Sequence, residues 1–156
     1  MARALDDPID RLIASLLIAD GRSTLKSLAE ATGLSVSAVQ ARVRRLETDG
    51  VIRGYTARVD PEAVGLPLAA IIAINPLDPA HEYDIPDRLN GLLEIESCHS
   101  VAGEASFILF VRVASPTTLE ALIREIRRRA NVSTQTTVVL QTFFERQAAR
   151  SELSDK

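Results

Sequence analysis

Three features of the 156-residue sequence predict an α+β chain built from two domains. Up to Gly50, apolar side chains recur at three- and four-residue steps, the period of amphipathic helices. Beyond Gly50, runs rich in Val, Ile and Thr alternate with helical stretches, as strands and helices do when they share one layered core. Between the two, Pro61, Gly65 and Pro67 mark a hinge. The expected organisation is a helical domain over residues 1–60, a linker over 61–67, a mixed domain over 68–145 and a polar tail over 146–156.

Asp7-Pro8 opens the first helix, an acidic cap followed by proline at the first helical position, where its missing N–H costs nothing. Ile9, Leu12, Ile13, Leu16 and Leu17 form its apolar stripe and Gly21 its terminator. Thr24 caps a short second helix that turns Leu25, Leu28 and Ala29 inward, and Gly33 closes it where a left-handed residue permits a sharp turn. Ser35 caps the third helix, with Val36, Val39, Val43 and Leu46 expected on its buried face. Two short helices joined by a tight glycine turn form a helix-turn-helix, and the first helix completes a three-helix core.

The third helix carries a second stripe. Ser35, Ser37, Ala38, Gln40 and Ala41 keep its start small and polar, and Arg42, Arg44 and Arg45 make its later turns basic, with no acid from Gly33 to Leu46. A helix entering a DNA major groove needs small residues where it approaches closely, donors for base edges and guanidinium groups for phosphates. These eight residues are the candidate DNA contacts. Arg42 has a second reading, pairing with an acid such as Glu30 or Glu47 inside the domain.

Val51 to Val59 reads as a wing-like or linking strand, which makes the helical domain a winged helix-turn-helix. Leu68 to Ile74 is a buried strand stopped by Asn75-Pro76. Pro79 to Leu93 reads as a helix with Ile85, Leu89, Leu92 and Leu93 inward. Ile95 to Ala102 and Ser106 to Ala114 form a hairpin through Gly103-Glu104. Ser115-Pro116 caps a helix with Leu119, Leu122, Ile123 and Ile126 inward and four arginines near its end. Val132 to Phe143 is the last strand. The order β-α-β-β-α-β is the ferredoxin-like arrangement, whose sheet leaves one face for a partner subunit to cover.

Composition narrows the function. Hydrophobic residues make up 46% of the chain, ample for a core. No apolar run approaches the roughly 20 residues of a membrane span, and the acidic start lacks a signal-peptide pattern, so a cytoplasmic protein without membrane contact is expected. Cys98, the single cysteine, fits a reducing compartment. The net charge of −3 is uneven, with nine Lys/Arg against eight Asp/Glu up to Asp60 and nine against thirteen beyond it. That asymmetry suits a local, sequence-selective DNA reader joined to an acidic domain with another task.

Catalysis is not expected. Cys98 and His99 are adjacent on a strand and point to opposite faces, so they do not form a nucleophile–base pair. His81, Glu82, Asp84 and Asp87 are ligand-type side chains on a polar helix, better read as a solvated face than as a metal site. No phosphate-binding glycine loop appears, and neither a metal nor a cofactor is expected.

Asp10 with its Ile/Leu helix, Leu34-Ser35-Val36-Ser37-Ala38-Val39, Arg42-Val43-Arg44-Arg45-Leu46-Glu47, Gly50-Val51-Ile52-Arg53-Gly54-Tyr55 and Asp60-Pro61 with Gly65 together resemble the Lrp/AsnC, or feast/famine, regulators along nearly the whole chain. The resemblance implies a transcription factor that binds double-stranded DNA, responds to an amino-acid effector and forms homodimers that assemble further, as octamers. It also implies an effector pocket between dimers that uses the loop Val101-Ala102-Gly103-Glu104-Ala105-Ser106, with Gly103 giving close backbone approach and Glu104 pairing with an amino group. Many members carry an aromatic and an aspartate at the positions of Ala105 and Ser106. Thr134 and Thr136, on one face of the last strand, are further candidates for the pocket, although threonine is also simply a good strand former. The competing function is a metabolite-binding module that acts on a partner protein without touching DNA.

Overall fold

The computed structural model describes residues 5–145. The polar tail expected over 146–156 lies outside them. The chain divides into two compact units, one running up to Arg58 and including Phe144 and Glu145, the other comprising Val59–Phe143.

In the first unit α1 spans Pro8–Ala19, α2 Leu25–Thr32 and α3 Val36–Thr48. Each start is capped as the sequence suggests: Asp7 accepts from the Ile9 and Asp10 amides, Thr24 from Ser27 and Ser35 from Ala38. Gly33 ends α2 at φ 70°, a conformation in which an L side chain is strained, and so allows the two-residue turn to Ser35. α1 closes without a left-handed glycine. Asp20 is extended and its N–H donates to the Leu16 carbonyl, with Gly21 following in the turn. Ile13, Leu28, Ala29, Val39, Val43 and Leu46 form the core of this unit. Val36 is not among them. It is 46% exposed, because the first residue of a helix has no preceding turn to pack it inward.

The strand expected over Val51 to Val59 does not form; the segment is irregular. Its β-branched residues have no neighbouring strand among the described residues of this unit, and β-propensity acts through cross-strand partners rather than alone. Its first amides instead close the end of α3, Val51 and Ile52 both donating to the Leu46 carbonyl. The Tyr55 hydroxyl donates to Glu47 Oε1 at 3.0 Å, and burial first, then that carboxylate, raises the phenol's pKa.

The second unit opens with a turn in which Gly65, at φ 78°, donates to Glu62. β1 (Leu68–Pro76), α4 (Ile85–Leu89), β2 (Ile95–Ser100), β3 (Phe107–Val113), α5 (Pro116–Ala130) and β4 (Val132–Val138) follow, with a 3-10 helix over Pro79–Asp84 before α4. The strands lie in the order β2-β3-β1-β4, all neighbours antiparallel, the ferredoxin-like arrangement expected. Ala70, Ile72 and Ile74 of β1 face Leu109 and Val111 of β3 and Ile85, Leu89, Leu122 and Ile126 of the helices in one core.

Four boundaries differ from the sequence reading. β1 continues through Asn75 and Pro76, which pair with Ser133 and Val132; a proline is tolerated at a strand end, where its missing donor is not needed. The helix expected over Pro79 to Leu93 is a 3-10 turn and a five-residue α-helix. Ile85, Leu89 and Leu92 are buried as expected, but Leu93 lies beyond the helix and is 93% exposed. β2 and β3 are shorter at the hairpin, leaving 101–106 as loop. β4 ends at Val138 rather than Phe143, where pairing with β1 runs out; the Val139 amide still donates to Ala69.

Candidate functional site

The exposed side of α3 carries Ser37, Ala41, Arg44 and Thr48, spaced four, three and four residues apart and so aligned along the helix. They sit opposite the buried stripe of Val39, Val43 and Leu46. Ser35 and Ser37 are exposed at its start, their hydroxyls 3.1 Å apart, and Ala38 and Gln40 are half-buried on its flanks. Arg44 is exposed and forms no ion pair among the described residues. Val36, placed in the core from sequence, stands instead exposed beside Ser37. Its type and spacing gave no sign of this; only its place at the first helical residue did.

Arg42 and Arg45 lie on the other flank, turned toward α1. Arg42 Nη1 donates to Asp10 Oδ1 at 2.7 Å and to Asp7 Oδ2 at 2.8 Å, and Arg45 Nη2 donates to Asp10 Oδ2. Of the two readings of Arg42, the structure shows the pairing with acids, and the acids are Asp7 and Asp10 rather than Glu30 or Glu47. The Arg42 guanidinium is the main cause that holds Asp7 below the usual carboxylate range, against a smaller effect of burial; Asp7 and then Asp10 raise the pKa of Arg42. Asp10 is 5% exposed, a buried carboxylate with both oxygens occupied.

In the second unit the loop 101–106 is held at both ends. The Val101 amide donates to the Ser106 carbonyl, and the Ser106 amide donates to the Ile74 carbonyl and to Asn75 Oδ1 at 2.8 Å. Asn75 Nδ2 donates to the Glu104 carbonyl at 3.1 Å. One amide side chain at the end of β1 thus grips the loop at two points, a role the sequence reading missed because it treated Asn75-Pro76 only as a strand stop. Val101, Ala102, Gly103 and Glu104 are exposed and Ser106 is half-buried, so Glu104 presents its carboxylate to solvent.

Thr134 and Thr136 are elsewhere. They pair with Ile74 and Ile72, which places them on the helix-covered face of the sheet. Thr134 Oγ1 accepts from Arg127 Nε of α5 at 2.7 Å. On the opposite face, Ile71 pairs with Phe110 and Ala73 with Ile108, an apolar patch that no helix covers within this unit. His99 faces the same side, its ring edge-on to Phe110, while Cys98 pairs with Leu109 on the core side, where burial raises the thiol pKa. The two therefore do not meet. His81 sits among Asp78 and Asp84 at the surface, and no group of three His, Cys, Asp or Glu converges on a metal-sized site among the described residues.

A three-helix unit with a helix-turn-helix, followed by a ferredoxin-like unit with a clamped loop, defines a two-domain DNA-binding regulator. Comparison with known proteins agrees. Residues 6–53 match the winged helix-turn-helix DNA-binding domain and residues 69–149 match the Lrp/AsnC ligand binding domain. The chain belongs to the Lrp/AsnC family of transcriptional regulators.

It is 58% identical to the HTH-type transcriptional regulator LrpA of Mycobacterium tuberculosis over 92% of its own length and 95% of that protein's. A feast or famine regulatory protein from M. tuberculosis, solved in complex with L-methionine, superposes with a TM-score of 0.88 at 55% identity, covering 96% of this chain and 99% of that one. AsnC of E. coli superposes at 0.84 with 27% identity, covering 92% and 98%. The family is one of regulators, not of enzymes. The match over residues 6–53 sets aside a module that acts without DNA. No helix among the described residues is long and apolar enough to cross a membrane.

Proposed function

We propose that this regulator reads its target with α3, and that an amino acid bound at the loop 101–106 changes its assembly or its DNA affinity. The observation that carries the first part is the exposed, acid-free stripe of α3. Ser35, Ser37, Ala38, Gln40 and Ala41 let the start of the helix approach base edges, and Arg44 supplies the outward guanidinium. For the second part, support comes from the match to the ligand binding domain, from the relative solved with L-methionine and from the exposed Glu104 carboxylate, a partner for an amino group. Val101, Ala102, Gly103 and Ser106 would line that contact. Thr134 and Thr136, on the helix-covered face of the sheet with Thr134 Oγ1 already holding Arg127, would not join that contact.

One such helix touches few bases, so two copies must act together. The patch around Ile71, Ala73, Ile108 and Phe110 supports a homodimer closed sheet to sheet, which the family resemblance extends to octamers. Two-fold symmetry then spaces the α3 helices by about one DNA turn, roughly 34 Å, or a multiple of it. The protein works where the DNA is, in the cytoplasm.

A retardation assay with the DNA upstream of its own gene, run as a salt series, tests the DNA half. Gln40→Ala or Arg44→Ala should weaken specific binding by about 1–3 kcal/mol if that side chain reads a base. Wild-type footprints from both variants at matched salt would remove the contact assignment. Calorimetry against the twenty amino acids tests the effector, and silence from all of them rules an amino acid out.

A further inference from the structure

We infer that Asp10 is a positioning residue for DNA binding: its buried carboxylate holds Arg42 and Arg45 of α3 against α1 and leaves the phosphate charge to Arg44. This rests on α3 being the DNA-reading helix.

Asp10 stands in the first turn of α1, yet its side chain is only 7% exposed. A carboxylate taken that far out of water is stable only if its lone pairs are met by good donors. Here each oxygen is met by a different arginine, Oδ1 by Arg42 and Oδ2 by Arg45, and the same Arg42 Nη1 also donates to Asp7 Oδ2. Residues 42 and 45 are three apart on the helix and share the flank that faces α1; Arg44 is turned away from it.

An exposed ion pair exchanges readily for a phosphate, since both partners are already solvated. This cluster does not. If either arginine swung out to the backbone of a duplex, Asp10 would stay behind half-satisfied and out of water. The arginines therefore fix how α3 lies against α1, and of the three in the helix only Arg44 has no ion pair among the described residues. The acid responsible lies in a different helix, so no inspection of α3 alone reveals the loss.

Counterion release measures the number of phosphates met. Each phosphate neutralised on a duplex contributes about 0.9 to the slope of log K against log salt. The full-length protein and its variants would be titrated by anisotropy against a mixed-sequence duplex of about 30 base pairs, from about 50 to 200 mM salt. Such a probe needs no knowledge of the target, because the electrostatic part of binding is sequence-independent.

R42Q is expected to keep the wild-type slope, R44Q to be shallower by about 0.9, and D10N to be steeper by about 0.9 as Arg45 is released. The double variant D10N/R42Q removes both opposed charges, leaves no lone buried carboxylate, and should match D10N. It carries the test if either single variant melts below the assay temperature. A shallower R42Q beside a shallower R44Q overturns the clamp alone, as does a D10N or double-variant slope equal to wild type. An unchanged R44Q overturns the assignment of α3, and the role of Asp10 in binding falls with it.

Discussion

Single side chains in this protein are best understood by what their neighbours take from them. Asp10 is an acidic residue in a first helical turn, which from sequence reads as a favourable interaction with the helix dipole; its partners, 32 and 35 residues away, are visible only when α1 and α3 are packed. Asp10→Ala strips two guanidinium groups of their anion and should lower stability by about 3 kcal/mol, the low end for a buried pair because Arg45 is half-exposed. Urea unfolding at neutral pH reads this directly.

Glu125 is a surface counterpart. Hydrogen bonds from Arg128 and then Arg129 lower its pKa from 4.5 to about 2. A carboxylate lowered on folding stabilises the native state above its unfolded pKa, and that contribution fades as pH falls from about 4.5 to about 2. Melting temperatures of Glu125→Gln should therefore approach those of the wild type as pH falls through this window; a constant gap would show that the charge plays no part. Leu93 shows the opposite limit of sequence reading. Helical spacing put it inward, but the helix stops at Leu89 and spacing has no meaning past a helix end.

Among the elements, those with a local chemical cause were legible. Asp7, Thr24, Ser35 and Ser115 each cap the helix they precede, since a side-chain oxygen three residues ahead of an unpaired amide acts over a few ångströms. Ser115→Ala should cost about 1 kcal/mol, read from the shift in denaturation midpoint. Gly33→Ala should cost a similar amount, about 1 kcal/mol, through φ alone, since a Cβ there meets nothing within 4 Å; Gly33→Asn, which tolerates the left-handed region, should cost less.

Elements whose cause is remote were not legible. Val51 to Val59 has strand composition but no partner strand among the described residues. β4 has strand composition to Phe143 but a neighbour only to Val138. In both cases the missing information is the second strand, which no window of the first contains. The candidate site divides the same way. The exposed stripe of α3 follows from helical period, whereas the loss of Arg42 and Arg45 to α1, and the grip of Asn75 on the loop 101–106, needed the tertiary structure.

At the scale of the whole molecule, the two units show different surfaces to possible partners. The ferredoxin-like unit buries one sheet face under α4 and α5 and leaves Phe110 42% exposed on the other. If that face closes the proposed homodimer, Phe110→Glu places a charge at its centre and should shift sedimentation from dimer or larger to monomer, while the far-ultraviolet dichroism stays unchanged. A variant that still sediments as the wild type does would move the interface elsewhere.

The clamp on the loop 101–106 has a kinetic side. A loop that opens and shuts over a ligand needs slack at one end; this one is fastened by its own Val101–Ser106 bond and by Asn75 at Glu104 and Ser106, which leaves Ala102, Gly103 and Ala105 without such an anchor among the described residues. Such a loop is a sill, not a lid. If the proposed ligand binds there, it waits for no hinge, and the observed association rate should climb in proportion to its concentration without reaching a plateau. Freed by Asn75→Ala, the same loop would gain an opening step, and stopped-flow traces would level off at high ligand.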